Sequence, residues 1–169
     1  MRQAVGDTGS VRSVGNHREE AGHVARHIYH AAVRWSDMDA YRHVNNVQYL
    51  RYLEEARVDM MFTLGQREGA KTLSEGVVIA RHEIDYKRPL VWRAEPVRVE
   101  TWVTRIGAAR FTLGYEIRDD EQVYATALSV LVPYSLVEQR PRRLTEDERA
   151  YLDRFLEPRD ESAGRSDRG

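Results

Sequence analysis

Between Ser36 and Tyr49 the chain reads SDMDAYRHVNNVQY. Two carboxylates, Asp37 and Asp39, are followed by His43, by Asn45 and Asn46, and then by a run with helical spacing. A carboxylate just ahead of a helix can attack an electrophilic carbonyl or take a proton from water. The first turn of the helix supplies what that attack needs next. Its free amides and the positive end of its dipole stabilise a developing oxyanion. The stretch contains neither Gly nor Pro, so it is not composed as an ordinary turn.

Each residue also has a structural use. A loop acid such as Asp39 serves as a turn or capping group, and Asp37 reads as an exposed loop acid. His43 either orients Asp39 or a bound molecule, or is a plain loop histidine. Asn45 and Asn46 are first of all N-cap candidates, because their side-chain oxygens accept from the first free amides. Glu54 and Glu55 read as a solvated helix face paired with Arg51 or Arg57.

The elements that must position these groups follow from periodicity. Ile28 to Trp35 alternates, with Tyr29, Ala31, Val33 and Trp35 on one face, which predicts a strand. From Asn46 to about Leu64, Tyr49, Leu50, Leu53, Ala56, Met60 and Leu64 recur at three- and four-residue spacing. That predicts an amphipathic helix of about five turns, ended by Gly65 or Gly69. The period then becomes two. Strands are predicted over Val77 to Lys87, Val97 to Arg105, the run from Phe111 through Ile117, and Val123 to Val132. Thr145 with Glu148 forms a capping box that opens a short helix carrying Tyr151, Leu152, Phe155 and Leu156. Strands joined by short turns pair antiparallel, and only the long helix is large enough to cover their apolar face. The fold class is therefore α+β, an antiparallel sheet of four or five strands wrapped on one long helix, with a short C-terminal helix.

Composition bounds the rest. The chain has 169 residues, suited to one domain, and a formal net charge of −1, which gives no broad pull toward nucleic acid. With no cysteine, a disulfide framework, a thiol nucleophile and cysteine-ligated metal are excluded. No apolar run approaches a membrane span and no secretory signal is visible, so a cytoplasmic protein is expected. Residues 1–26 and 158–169 are polar and aperiodic and are expected to be disordered arms around an ordered domain at 27–157.

The segment DMDAYRHVNNVQYLRYLEEAR, the order of elements, and IDYKRPL on the following strand resemble the hotdog-fold acyl-CoA thioesterases of the 4-hydroxybenzoyl-CoA thioesterase type. The likeness spans roughly Tyr29 to Val137, and its most specific part is the spacing of Asp, His-Val-Asn-Asn and Tyr. One departure is visible: Trp92-Arg93-Ala94-Glu95 stands where the family often has Gly-Asp.

The resemblance implies a sheet curled on the helix and a homodimer, or a dimer of such dimers, with sites at the interface. By position it implies Asp39 as catalytic carboxylate and an Asn46 or Val47 amide as oxyanion donor; His43 is kept as a catalytic candidate that would orient Asp39 or the substrate. No cofactor or metal is implied. The thiol of coenzyme A leaves readily, with a pKa near the cysteine value of about 8.5, so no strong general acid is required. Tyr49, Arg88 and Arg105 are expected to contact an acyl-CoA or acyl carrier protein substrate. Arg suits the phosphates of coenzyme A, although Lys87, Arg88, Arg93, Arg105 and Arg110 all read equally well as solvated strand ends. Met60, Met61 and Phe62 read as core, with some available to line an acyl tunnel. Glu54 is a second candidate acid, since some hotdog thioesterases use a helix-borne one.

Other readings of the same residues are a non-catalytic acyl-CoA binder, a hotdog hydratase or dehydratase, and a divalent metal on Asp37, Asp39 and His43. A fourth is a haloacid-dehalogenase-type phosphatase built on Asp37-x-Asp39, which would require parallel strands.

Overall fold

The computed structural model describes residues 25–158. The expected arms therefore lie outside the described residues, apart from 25, 26 and 158. Arg26 bonds to Glu100 and Glu116 and lies over the Trp102 ring.

Among the described residues six strands follow in chain order: β1 (His27–Ala31), β2 (Val77–Tyr86), β3 (Val97–Ile106), β4 (Phe111–Arg118), β5 (Val123–Ser135) and β6 (Arg140–Pro141). The main sheet runs β1-β3-β4-β5-β2, all antiparallel, and β6 folds back on β5. This antiparallel order removes the phosphatase alternative, which needs parallel strands separated by helices. Register shifts interrupt β2/β5 between Ile79 and Arg81 and β3/β4 between Val103 and Arg105. Such bulges bend and twist a ladder, and here they curl the sheet onto the helix.

The helix α1 spans Asn46–Val58. It continues as a π-helical segment, Asp59–Leu64, and a last turn, Gly65–Arg67. The expected terminator Gly65 lies inside the helix, and Gly69, at φ 96°, is where the chain turns away. α1 buries Tyr49, Tyr52, Leu53 and Ala56, and its continuation buries Met60. They join Val99, Val103, Leu113, Tyr115 and Leu131 of the sheet in one core. Met60 and Met61 are buried as their spacing predicts, whereas Phe62 is exposed.

The first strand is shorter than predicted. It ends at Ala31, and Trp35 begins a 3-10 turn, Trp35–Asp37, with its ring in solvent. Alternation continued to Trp35 in the sequence, but pairing with β3 stops at the Ala31–Val97 pair. Beyond Thr101 the outer edge of β3 is taken by the C-terminal segment instead. There Val103 N–H donates to Phe155 O and Glu157 N–H to Val103 O, both at 2.8 Å.

The terminal helix α2 (Glu146–Asp153) opens with the predicted capping box. Its Tyr151 hydroxyl donates to Met60 O at 2.6 Å, inside the π-helical segment. Glu148 does more than cap. It is fully buried and accepts from Arg142 at 2.7 and 2.8 Å, from Thr72 Oγ1 at 2.8 Å and from Thr145 N–H at 2.8 Å. Burial opposes its charge, but these donors outweigh that and hold its carboxyl below the ordinary value.

A depressed carboxyl contributes stability above its unfolded pKa of about 4.3, and that contribution is lost as pH falls through the folded value. Glu148→Gln is expected to lower the melting temperature at neutral pH. The gap to wild type should narrow as pH drops below about 4.3. Thermal melts of both proteins across pH check this, and a gap that does not vary with pH would contradict it.

Candidate active site

The loop between β1 and α1 is tied down from beneath. Asp37, read from sequence as an exposed loop acid, is buried. Its Oδ2 accepts from Tyr52 Oη at 2.6 Å and from Arg34 N–H at 2.9 Å, while its carbonyl accepts from Asn45 N–H at 2.8 Å. The correction has a plain cause. Tyr52 lies on the inward face of α1, and a buried hydroxyl needs a partner. Burial first, and then Asp37, push the Tyr52 hydroxyl far above its ordinary pKa, so it remains a donor.

Two residues on, Asp39 faces a cleft. Its Oδ1 accepts from the N–H groups of Tyr41 at 2.8 Å and His43 at 3.2 Å, and its own N–H donates to His43 O at 2.8 Å. One carboxylate oxygen is thus spent on fixing the loop. Oδ2 has no partner among the described residues. His43 orients Asp39 through its backbone, while its side chain lines the cleft. The turn leaves Arg42 at φ 63°.

Asn45 is the N-cap of α1, and its side chain accepts from Val47 N–H at 3.0 Å. This separates the two amides expected at the oxyanion. Val47 N–H is occupied, whereas Asn46 N–H has no acceptor among the described residues.

Asp39, His43, Asn46, Tyr49 and Arg88 line one cleft of about 320 Å³, joined by Tyr86 and Lys87 at the end of β2. Tyr49 is buried and acts as a wall. Its Oη accepts from Leu90 N–H at 3.2 Å and its ring meets Tyr86 edge-on at 5.1 Å. Tyr86, not singled out in the sequence, donates to Asn46 O at 3.3 Å. Its only signal was its place in IDYKRPL. Lys87 pairs with Asp85 at 3.5 Å, and Arg88 makes no ion pair among the described residues.

Two predicted residues are not brought to this cleft within one chain. The Val47 side chain lines a groove beside α1 that also holds Glu54, Arg57 and His82. Arg105 lines a cleft at the β3–β4 turn, at the opposite end of the sheet. Arg93 is committed elsewhere, to Asp119 at 2.5 Å and Tyr124 at 3.1 Å. Among the described residues no group of three or more His, Cys, Asp or Glu is arranged to hold a metal ion. Asp37 is buried with its Oδ2 bonded to Tyr52 and to Arg34 N–H. No helix among them is long and apolar enough to cross a membrane.

Residues 33–152 match the family model of the thioesterase-like superfamily. The chain belongs to this superfamily. Its curled antiparallel sheet on one long helix is the hotdog fold, and membership of the superfamily makes the chain a thioester hydrolase. It is similar to the long-chain acyl-CoA thioesterase FadM of Escherichia coli (strain K12), with 28% identity over 126 residues, 73% of this chain and 95% of that one. Among solved structures, the PA2801 protein of Pseudomonas aeruginosa is 37% identical with a TM-score of 0.64, covering 73% of this chain and 95% of that one. A Thermus thermophilus thioesterase complexed with coenzyme A and Zn is 27% identical with a TM-score of 0.64, covering 76% and 92%.

Asp37 and Asp39 should separate cleanly on substitution. Tyr52→Phe leaves the buried Asp37 carboxylate short of a donor, a loss of about 1.5–3 kcal/mol for a bond to a charged group. That corresponds to a melting-temperature drop on the order of 5–10 °C for a domain of this size. Asp39→Asn retains an Oδ1 acceptor for Tyr41 and His43, so its melting temperature should stay within about 2 °C of wild type. Differential scanning calorimetry of the two variants tests the assignment. Equal losses would mean that Asp39 also carries the loop's stability.

Proposed function

We propose that the chain hydrolyses an acyl-CoA thioester to a free acid and coenzyme A, with Asp39 as the attacking or base carboxylate and Asn46 N–H as the oxyanion donor. The observation that carries this reading is a shared wall. The carboxylate with one unpartnered oxygen and the amide without an acceptor line the same cleft.

Asp39 Oδ2 either adds to the thioester carbonyl, expelling the thiolate and leaving a mixed anhydride for water to cleave, or removes a proton from an attacking water. In both routes the carbonyl oxygen gains charge at the first turn of α1, where the Asn46 amide and the helix dipole favour it. Lys87 and Arg88 at the cleft mouth suit the phosphates of coenzyme A. The relatives support this substrate class: one is named for acyl-CoA hydrolysis and another is complexed with coenzyme A. An acyl carrier protein thioester offers the same carbonyl and phosphopantetheine, and belongs to the same reading. So does a cytoplasmic setting.

The proposal includes a homodimer, or a dimer of dimers. β2 forms one edge of the sheet, ten residues long, with no strand on its outer side among the described residues. Val78 on this strand, Leu128 on the neighbouring β5, and Val58 and Phe62 on the long helix are exposed apolar groups. A two-fold copy pairing along this edge would cover them and satisfy its free amides. Sedimentation should therefore give twice or four times the chain mass at micromolar concentration. A monomer that retains full turnover would remove the dimer from the proposal.

Asp39→Asn should lower turnover 10²–10⁴-fold, about 3–5 kcal/mol of barrier, while substrate still binds. Thiol release from an acyl-CoA panel measures this. If folded Asp39→Asn protein turns over within a few fold of wild type, the acid is misassigned, and Glu54 beside His82 is the next to replace. Hydration of an enoyl thioester without thiol release would favour the hydratase reading. Binding without any turnover would favour the non-catalytic one.

A further inference from the structure

Asp39 also borders a second cleft, on the side away from Lys87 and Arg88. It encloses about 630 Å³ and is lined by Trp35, Met38, Asp39, Arg42, Val91 and Trp92. We propose that this cleft is the acyl subsite, taking an extended apolar acyl group between the rings of Trp35 and Trp92. The inference rests on the thioester reading given above.

Three observations carry it. The first is exposure. Trp35, Val91 and Trp92 are 75%, 51% and 50% exposed, and the two indoles meet edge to face at 6.1 Å. Single exposed apolar residues are ordinary on a protein surface, but a contiguous group marks a binding surface.

The second is rigidity beneath that exposure. Trp35 lies two residues before Asp37, which Tyr52 holds from below. Trp92 lies two residues after Leu90, which is fully buried and bonded through its carbonyl to Val44 N–H at 2.7 Å and through its N–H to Tyr49. Arg93, next to Trp92, is tied to Asp119 and Tyr124. The rings stand on pinned backbone, so a ligand entering between them pays little ordering entropy.

The third is polarity on either side of Asp39. Lys87 and Arg88 line one cleft, together with Tyr49 and Tyr86, whereas Trp35, Met38, Val91 and Trp92 line the other, in which Arg42 is the single cation. A thioester whose carbonyl sits at Asp39 has a charged nucleotide on one side and an apolar chain on the other, the same polarity. A pocket of this volume lies within the usual range for small ligands, about 300–1,000 Å³. Trp35 broke the alternation expected for β1, and Trp92 stands in the segment that departs from the related family, so neither is required by the shared fold.

The test is chain-length dependence. Wild-type kcat/KM is expected to rise from acetyl- through hexanoyl- to decanoyl-CoA, by up to about fourfold per methylene, the ratio that corresponds to about 0.8 kcal/mol of burial. In Trp35→Ala and Trp92→Ala the decanoyl-to-acetyl ratio should fall at least tenfold, mainly through KM. Trp102→Phe, remote from the cleft, should keep the wild-type ratio. Both alanine variants remove exposed rings, so melting temperatures should hardly move.

A second readout does not depend on turnover. In Trp102→Phe protein only Trp35 and Trp92 fluoresce as tryptophan. S-Decyl-coenzyme A, a thioether that cannot be hydrolysed, should shift their emission to the blue, and coenzyme A alone should not. If no member of the acyl-CoA series is turned over, the proposed function fails, and the emission experiment still decides the cleft. Unchanged emission on adding S-decyl-coenzyme A, or a decanoyl-to-acetyl ratio unchanged in both alanine variants, overturns the subsite.

Discussion

A buried carboxylate beneath a loop holds the start of the long helix in place. Asp37 accepts from Tyr52 and Arg34 and, through its carbonyl, from Asn45. One residue thereby ties together the segment after β1, the inward face of α1 and the N-cap that starts α1. Asp39, two positions on, takes its direction from its own bonds to Tyr41 and His43, on a loop whose base Asp37 holds. A bond to a charged acceptor contributes on the order of 1.5–3 kcal/mol, and removing its donor leaves a desolvated charge. The small folding margin of a domain, about 5–15 kcal/mol, makes such a contact a large fraction of the whole.

The far end of the helix is held in an equivalent manner. Tyr151 of α2 donates to Met60 O in the π-helical segment, and the buried Glu148 joins α2 to Arg142 and to Thr72 beyond the helix. The long helix is therefore anchored at both ends before its apolar face is counted. For the proposed reaction that matters, because electrostatic stabilisation is effective only when the donors are already aimed. An amide at a frayed helix start would be solvated and poorly directed. The Asn45 cap removes one amide from use and leaves the one before it open.

Asp39 stands between two clefts that differ in balance, one with two cations beside Tyr49 and Tyr86, the other with two indoles beside Arg42. The first is built from the end of β2, where Lys87 and Arg88 follow the edge strand. The second is built from two loops that the core pins at Asp37 and Leu90. The edge of β2 and the adjoining face of the helix carry exposed apolar groups, so the same strand that ends in the cleft is the natural place for a second copy. In the proposed dimer, site and interface would be parts of one continuous surface rather than separate features.

Much of this was legible in the chain. The change from a period near 3.6 to a period of two at Val77 determined the order of helix and meander, because that order depends only on which faces must be apolar. The Thr145–Glu148 box is local and appeared where it was read. Asp39, His43 and Asn46 were found from short polar groups placed ahead of a helix, and they do line one cleft. What only the tertiary structure decided concerns partners far apart in sequence. Nothing near Asp37 or Glu148 in the chain reveals that Tyr52 or Thr72 helps to make its burial tolerable. Trp35 left its strand because β1 stopped pairing with β3, which no local pattern records. Arg93 was one of five similar cations until Asp119 and Tyr124 claimed it. Periodicity reports which face is apolar. A charged or hydroxyl group is assigned only by the atom it meets, and in this fold that atom generally comes from another element.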